Sequence, residues 1–396
     1  MTDDSRSPGL LSVLAFALVL TASSLDVANK YLGVSGMVGY AVLVVAVVLG
    51  GNRFGVSWFT DHVSERTSLL LAGLTFIFLG VIAFAVYPVA NSGAFGGGSD
   101  ADDALILAAT ELLSGRYPFY PATYLGNQIA PMPGAVFLAS PFILLNIFPL
   151  QNVFWLLIFF IVLRREIKSG SRALGLFLTV LILSPAVLHN VVTGTDRTAN
   201  AIYILTALWI MMRTIPVPSA PVWTKLLGSV FLGIGLSSRS NFVFVAPLIF
   251  SMLIQTAGWR EAVKYCAISA LTAIAITLPF WLYDPTGFSP FYNQSAKISG
   301  FSSILSYATV VIPASGLLLA FALSFRRMSL DGSALLWSGA LTQIYSVFLL
   351  SALSSISSGR LDLYFGHVSY GVFFLFFAVM AFANDATRRP PRRIAF

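Results

Sequence analysis

Long apolar stretches constrain this chain more than any other feature of its sequence. Their residues are apolar on every face of a helix, which is typical of segments that lie in lipid. The composition agrees, because 57% of residues are hydrophobic and only 10% are charged, against about 25% in soluble domains. The sequence therefore predicts one all-α polytopic membrane domain over residues 1–396, with about twelve transmembrane helices. The predicted spans are 9–25, 33–50, 69–90, 147–163, 173–189, 199–213, 225–238, 241–257, 265–283, 302–325, 333–353 and 367–384.

Several other classes of protein are disfavoured. The net charge is +7, but the basic residues lie in short clusters between apolar runs, which is typical of membrane topology and does not indicate nucleic-acid binding. The single cysteine, Cys266, excludes an intramolecular disulfide. A Walker phosphate loop is absent from the sequence, which disfavours an ATP-driven pump.

The distribution of positive charge predicts the orientation. If the N-terminus is cytoplasmic, 17 of the 23 lysine and arginine residues fall in cytoplasmic segments, as the positive-inside rule requires. This distribution predicts a multi-pass protein of the plasma membrane with both termini in the cytoplasm. Six basic residues remain outside or at membrane depth: Lys30, Arg116, Arg197, Arg239, Lys297 and Arg360.

Two stretches are too short to cross a membrane twice as full helices. Residues 133–163 would extend about 47 Å as a helix, and two crossings of a core of about 30 Å need more. We therefore expect PMPGAVFLASPFILL, residues 131–145, to form an interfacial or re-entrant helix before one true span. Residues 225–257 are similarly short, and we expect a hairpin of short helices bent at 233–241.

One polar loop, residues 91–146, interrupts the apolar runs and is expected on the outer face. It contains three aspartates within four residues, Asp100, Asp102 and Asp103, whose mutual repulsion tends to raise at least one pKa and attracts cations. Such carboxylates can act as a general base toward a hydroxyl group or as ligands of a divalent cation. They can equally form the solvated acidic start of a short helix from Ala104 to Ser114.

Aromatic residues follow this expected helix. Tyr117 and Tyr120 stand among prolines and glycines in the same loop. Their rings can stack on the faces of sugars or lie at the level of lipid headgroups. Both interpretations remain open.

The loop carries a recognisable pattern. It reads Asp102-Asp103-(x)4-Ala108-Ala109-x-x-Leu112-Leu113-x-Gly115-x-x-Pro118-x-Tyr120, followed by Pro131-x-Pro133-Gly134-Ala135 and Leu138-Ala139-x-Pro141. This pattern resembles the first outer loop of the GT-C superfamily of membrane glycosyltransferases. Within that superfamily it is most similar to the bacterial mannosyltransferases that use polyprenyl-phosphate mannose.

The resemblance implies a function and a set of catalytic residues. It implies transfer of mannose, or another hexose or pentose, from a polyprenyl-phosphate donor to an extracytoplasmic glycan, glycolipid or protein. It assigns the role of catalytic base, or of an acid linked to a metal, to Asp102 or Asp103, with Asp100 completing an Asp-x-Asp motif. A divalent cation is compatible with this motif, and no other cofactor is implied.

Arg239 is the first candidate for substrate binding. It lies between two apolar helices, where an unpaired charge costs a few kcal/mol or more. An arginine there can grip the phosphate of a lipid-linked donor with two hydrogen bonds. The alternative is a buried ion pair with an acid of another loop. Arg197 is a candidate of the same kind, although it can pair with its neighbour Asp196.

Three further candidates lie in outer segments. Arg360 and Lys297 could contact the donor phosphate, and His367 stands just inside an apolar run. An interfacial lysine and a structural histidine are the alternatives for the last two. Together with Tyr117, Tyr120, Arg197 and Arg239, these residues form the expected substrate site.

Other functions remain open. A transporter or flippase of lipid-linked saccharide would place its acids within spans near mid-membrane, whereas most carboxylates here lie in loops. An oligosaccharide polymerase or ligase, or a non-catalytic scaffold, could share the same topology. The acidic loop favours the glycosyltransferase.

Overall fold

The fold is entirely helical, as the sequence predicts. The computed structural model describes residues 9–92, 100–291, 303–328, 332–363 and 368–387. It is 82% helical, and the described residues contain no strand. The helices are α1 Leu10–His62, α2 Glu65–Ala90, α3 Ala101–Leu113, α4 Pro133–Leu144, α5 Gln151–Ile167, α6 Gly170–Leu183, α7 Pro185–Thr193, α8 Arg197–Thr214, α9 Val222–Leu236, α10 Val245–Ala257, α11 Trp259–Tyr283, α12 Ser303–Ser324, α13 Ser333–Ser358 and α14 Val372–Thr387.

The described helices confirm a membrane protein but not a count of twelve spans. Seven of them, within the described ranges, are long and apolar enough to cross a membrane. An eighth is obtained if α6 and α7, which meet at 77°, form one broken span. Two predicted spans are joined in α1, whose chain turns at Gly33 with a φ of 68°. Helix α9 has 15 residues, or about 22 Å, which is shorter than a hydrocarbon core of about 30 Å.

Helix α14 forms the centre of the bundle. Its residues from Val372 to Ala381 are almost entirely buried, including four phenylalanines. A helix that is apolar on all sides is expected to be surrounded by other helices. Here α1, α5, α8 and α13 pack around α14, and Phe16 stacks on Phe382 with ring centroids 4.5 Å apart.

A half-buried carboxylate ties the first and last helices together. Asp385, near the end of α14, accepts hydrogen bonds from Ser12 at 2.8 Å, from Ser333 at 2.5 Å and from the Trp337 indole at 2.9 Å. These donors lie at the starts of α1 and α13. The starts of α1 and α13 therefore meet the end of α14 at one end of the bundle.

Helix α4 is too short to cross the membrane, as its length in the sequence predicts. Its 12 residues extend about 18 Å. It packs on the end of α9, where the Gly134 amide donates to the Ser237 carbonyl at 3.0 Å and the Met132 amide donates to that of Ser238 at 3.4 Å. A Cβ at Gly134 would lie 2.2 Å from the Ile234 carbonyl oxygen. Only glycine permits this contact between the polar loop and the α9–α10 bend.

Substitution Gly134→Ala is expected to destabilise the protein by about 1–3 kcal/mol, because the new methyl group would overlap backbone that cannot move independently. Thermal unfolding in detergent would measure the loss. The matched control is Gly73→Ala in α2, where a Cβ meets nothing within 4 Å. The control is expected to be neutral or stabilising, since alanine is the better helix former. Equal behaviour of the two variants would contradict the packing described for α4.

Candidate functional site

The three aspartates at the start of α3 have different surroundings, and only Asp102 is buried. Its side chain is 5% exposed. Its Oδ2 accepts hydrogen bonds from the Tyr87 hydroxyl at 2.8 Å and from the Asn91 amide at 2.9 Å. Its Oδ1 is also buried and has no hydrogen-bond partner within the described part of the chain. A buried polar atom without a partner is uncommon in native proteins.

Burial changes the ionisation of Asp102. It disfavours the charged form and raises the pKa of this carboxyl to about 6, and the hydrogen bond from Tyr87 opposes part of that change. A base with this pKa is largely ionised at neutral pH. It is also a stronger proton acceptor than an ordinary surface aspartate.

Asp100 and Asp103 hold the chain that follows α3. The Oδ2 of Asp100 accepts from the Thr123 hydroxyl at 2.7 Å and from the Asn127 amide at 2.8 Å. The Oδ2 of Asp103 accepts from the Tyr124 backbone amide at 2.9 Å. The two carboxylates therefore fasten the turn at 123–127 onto α3.

The expectation of a joint cation site is not supported by this arrangement. Each of Asp100, Asp102 and Asp103 has its own hydrogen-bond donors. Within the described ranges, no three His, Cys, Asp or Glu side chains come together in a way that could hold a metal ion.

Small residues bring α3 and α4 close together. Ala104, Ala108 and Ala109 are buried against α4, where Ala135 and Ala139 are buried in the same apolar cluster. The two alanines of the Asp-Asp-(x)4-Ala-Ala pattern are thus packing residues. The helix begins three residues before the predicted start, and it ends at Leu113 before a glycine with φ +72°.

A turn between α7 and α8 lies directly against Asp102. Gly194 has a φ of 69°, and a Cβ there would lie 2.6 Å from the Tyr87 ring and 3.2 Å from the Cβ of Asp102. The next residues include Asp196 and Arg197, at the start of α8. Glycine is required both by the positive φ and by the close approach. The turn at residues 194–197 therefore connects the acidic helix to the charged start of α8.

Arg239 forms a buried ion pair with Asp196. Its Nη2 lies 2.8 Å and 2.9 Å from the two carboxylate oxygens, and the exposures of the two side chains are 13% and 1%. Asn200 adds a third hydrogen bond to Asp196 at 2.9 Å. This confirms the alternative stated for Arg239, an ion pair with an acid of another loop. A phosphate would have to displace Asp196 to accept the hydrogen bonds that Nη2 of Arg239 donates to it.

The alternative stated for Arg197, an ion pair with Asp196, is wrong, because Asp196 pairs with Arg239. Arg197 instead places its guanidinium carbon 5.2 Å from the centre of the Tyr370 ring. The charges of Arg197 and Lys30 both act on Asp26 and on His189. These groups form a charged cluster just before the Gly33 break of α1, beside the same turn.

Sequence reasoning missed Asp26 and His189 as members of this cluster. A signal was present, because Asp26 and Lys30 are charges placed four residues apart between two otherwise apolar runs. Four residues apart on a helix is one turn, so both fall on one face.

Tyr117 and Tyr120 belong to an aromatic group in which Tyr117 is half-buried and Tyr120 is exposed. Tyr117 stacks on Tyr283 with centroids 5.0 Å apart. The Tyr120 hydroxyl donates to Oδ2 of Asp284 at 3.1 Å. Tyr120 and Tyr283 are 60% and 71% exposed. Hydrogen bonds from Gly287 and Thr286 lower the pKa of Asp284, so an ionised carboxylate stands beside the rings.

The remaining candidates are dispersed or lie outside the described residues. Arg360 is exposed and follows α13 just after Gly359, which has a φ of 66°. Lys297 and His367 lie outside the described residues, so their predicted roles stay predictions. Arg116 pairs with Glu111 through two contacts of 2.5 Å and 2.7 Å.

Comparisons of the chain with protein-family models, with curated proteins and with solved structures find no match. The likeness of the loop to GT-C enzymes therefore stays a prediction. A function has to be argued from the residues of this chain.

Substitution Arg239→Gln is expected to cost about 3–5 kcal/mol of stability, because it leaves the Asp196 carboxylate buried without its cation. The double variant with Asp196→Asn removes both charges and is expected to recover most of the loss. Thermal unfolding in detergent would compare the two variants. A double variant no more stable than Arg239→Gln would contradict the ion pair.

Proposed function

We propose that this protein is a membrane glycosyltransferase of the GT-C type. It transfers a sugar from a polyprenyl-phosphate donor to an acceptor hydroxyl group on the outer face of the plasma membrane. The observation that carries the proposal is the buried Asp102, with one oxygen held by Tyr87 and Asn91 and the other without a partner among the described residues. The pattern of the acidic loop supports the same reaction class.

In the proposed reaction Asp102 is the base. Its free Oδ1 accepts the proton of the acceptor hydroxyl group while that oxygen attacks C1 of the donor sugar. The bond between C1 and the phosphate oxygen breaks, and polyprenyl phosphate leaves with the bonding electrons. The proton remains on Asp102 and is then released to water. Tyr87 and Asn91 fix the carboxyl group so that its orientation is set before substrate binds.

The leaving phosphate is assigned to the cations beside the Gly194 turn. Arg197 starts α8 there, and the charge of Lys30 acts on the same groups. Arg239 supports this site by holding Asp196 in place. Arg360 is exposed after α13, and together with Lys297 it is proposed to guide the donor headgroup.

The exposed ring of Tyr120 and the half-buried ring of Tyr117 are proposed to bind the acceptor. A sugar ring can stack on such faces, and the ionised Asp284 can accept hydrogen bonds from its hydroxyl groups. Stacked aromatic faces and a carboxylate together suit a glycan or glycolipid better than an apolar ligand. The acceptor is thus assigned to the aromatic group and the donor phosphate to the cations beside the Gly194 turn.

The orientation and span count belong to the same proposal. Twelve crossings, including those made by short or broken helices such as α9 and the α6–α7 pair, would leave both termini in the cytoplasm. The acidic loop would then face outward, where lipid-linked donors do not require nucleotide binding.

A flippase of lipid-linked saccharide is a second candidate. It is favoured by Asp26, a half-buried carboxylate within the apolar helix α1. A flippase would move labelled polyprenyl-phosphate sugar across liposomes without breaking its glycosidic bond. Detection of the label on an acceptor instead would identify the transferase.

Transfer of label from a polyprenyl-phosphate sugar to membrane acceptors is expected to fall at least about 100-fold in Asp102→Asn, since a general base contributes about 10²–10⁴-fold. The matched control is Asp103→Asn, which removes a carboxylate of the same helix that only binds a backbone amide. This control is expected to retain most of the activity. Undiminished transfer by Asp102→Asn would refute Asp102 as the base.

The pH dependence of transfer gives an independent prediction. Since ionised Asp102 is the active form, the rate is expected to fall as the pH drops through about 6. Substitution Tyr87→Phe removes a donor that stabilises the carboxylate, so the acidic limb is expected to move to higher pH. This shift is tested by measuring the transfer rates of both proteins from about pH 4.5 to about pH 8, a range that extends up to about two units from this pKa. A limb that stays in place in Tyr87→Phe would exclude Asp102 as its origin.

A further inference from the structure

A cavity opens on the side of the bundle, at the end of α2 farthest from the acidic loop. It has a volume of about 770 Å³ and lies between α2, α5 and the start of α6. Its apolar wall includes Leu69, Phe76, Leu157 and Phe160. Its rim carries three cations and one carboxylate.

The length of the cavity matches one leaflet of a bilayer. On α2 its lining runs from Glu65 to Phe76, and on α5 from Leu157 to Lys168. Each stretch rises about 16 Å along its helix, which is about half of a hydrocarbon core of 30 Å. The centroid of the Phe76 ring lies 5.9 Å from that of Phe160 and 5.3 Å from that of Phe177. These three rings close the deep end of the cavity. The cavity therefore starts at the polar surface and ends near the middle of the membrane.

The rim has an excess of positive charge. Arg164, Arg165 and Lys168 stand at the end of α5, opposite Glu65 at the start of α2. Glu65 accepts from the Gly170 amide at 2.7 Å and lies 3.7 Å from Arg164, so its charge is matched within the protein. Arg165 and Lys168 are exposed. The rim can thus hold an anion of one or two charges.

The wall leaves room for a chain. A Cβ placed on Gly73 would meet no atom within 4 Å. Leu69 and Ile161 on the same wall are 45% and 41% exposed. An apolar cavity with cations at its rim is complementary to a molecule with an anionic head and a hydrocarbon tail.

We propose that this cavity binds one anionic phospholipid from the leaflet opposite the acidic loop. Arg165 and Lys168 hold the phosphate, and one acyl chain lies along Gly73 as far as Phe76. This site is separate from the proposed catalytic site and does not depend on the proposed activity.

Native mass spectrometry of the purified protein in a non-ionic detergent tests the proposal. Phosphatidylglycerol is titrated against phosphatidylcholine with the same acyl chains, and glycerol phosphate serves as the headgroup alone. We expect phosphatidylglycerol to bind more tightly than phosphatidylcholine and glycerol phosphate not to bind.

Two variants test the two halves of the site. Substitution of Arg165 and Lys168 by Gln is expected to weaken the binding of phosphatidylglycerol by about 25-fold, or about fivefold for each cation. It is also expected to remove the preference for this lipid over phosphatidylcholine. Gly73→Leu keeps both cations and fills the apolar part of the cavity, so it is expected to weaken the binding of both lipids. If the charge variant does not fold, Gly73→Leu still decides whether the cavity holds the chain.

Matched controls separate this site from general attraction to the surface. Arg260 and Lys264 are exposed cations near the start of α11 and lie outside the cavity. Their double substitution by Gln, and Gly50→Leu in α1, are expected to leave lipid binding unchanged. The proposal is overturned if these controls weaken the binding of phosphatidylglycerol as much as the site variants do. It is also overturned if glycerol phosphate binds as tightly as the lipid.

Discussion

The buried ion pair between Asp196 and Arg239 is the interaction on which the end of the bundle that carries the acidic loop depends. Removing two charges from water is costly, and the cost is offset only when the geometry is good and further hydrogen bonds are present. Both conditions hold, because Arg239 contacts both carboxylate oxygens and Asn200 adds a donor. The pair fixes the start of α8 against the bend between α9 and α10, and therefore fixes the position of the Gly194 turn.

That turn brings the chemical groups together. Asp102 packs against Gly194 from one side, and Arg197 leaves it on the other. The polar loop is attached at a second point, where Gly134 of α4 lies on Ser237, two residues before Arg239. The buried Asp102 on α3 and the cations of α1 and α8 thus share one framework, although they are far apart in the sequence. A lipid-phosphate donor would require such an arrangement, since its anionic group and its reacting carbon are adjacent.

The sequence predicted the parts of this framework that local rules determine. The all-α fold follows from apolar runs, the short α4 from a residue count, and the end of α3 from a glycine. The number of spans could not be read in this way, because α1 joins two runs through Gly33, and α9, with 15 residues, is about as long as the predicted span 225–238 but too short for a full crossing. Crossing number depends on helix tilt and breaks, which hydropathy does not report.

The site itself was only partly predictable. The sequence indicated an acidic cluster, but which aspartate is buried depends on Tyr87 and Asn91, at and just beyond the end of α2. The choice between a free Arg239 and a paired one depended on Asp196, 43 residues away along the chain. Asp26 was missed although it stands four residues before Lys30, because that spacing does not show which distant side chains the pair would meet. Contacts between distant segments decide all three cases, and no local pattern encodes them.

The most direct test of the central claim is an experimental structure with a non-cleavable phosphonate analogue of a polyprenyl-phosphate sugar bound. The proposed mechanism requires the phosphonate to lie within hydrogen-bonding distance of Arg197. It also requires C1 of the sugar to face Oδ1 of Asp102. An analogue bound with its phosphonate away from the Gly194–Arg197 turn, and with its sugar out of reach of Asp102, would contradict it.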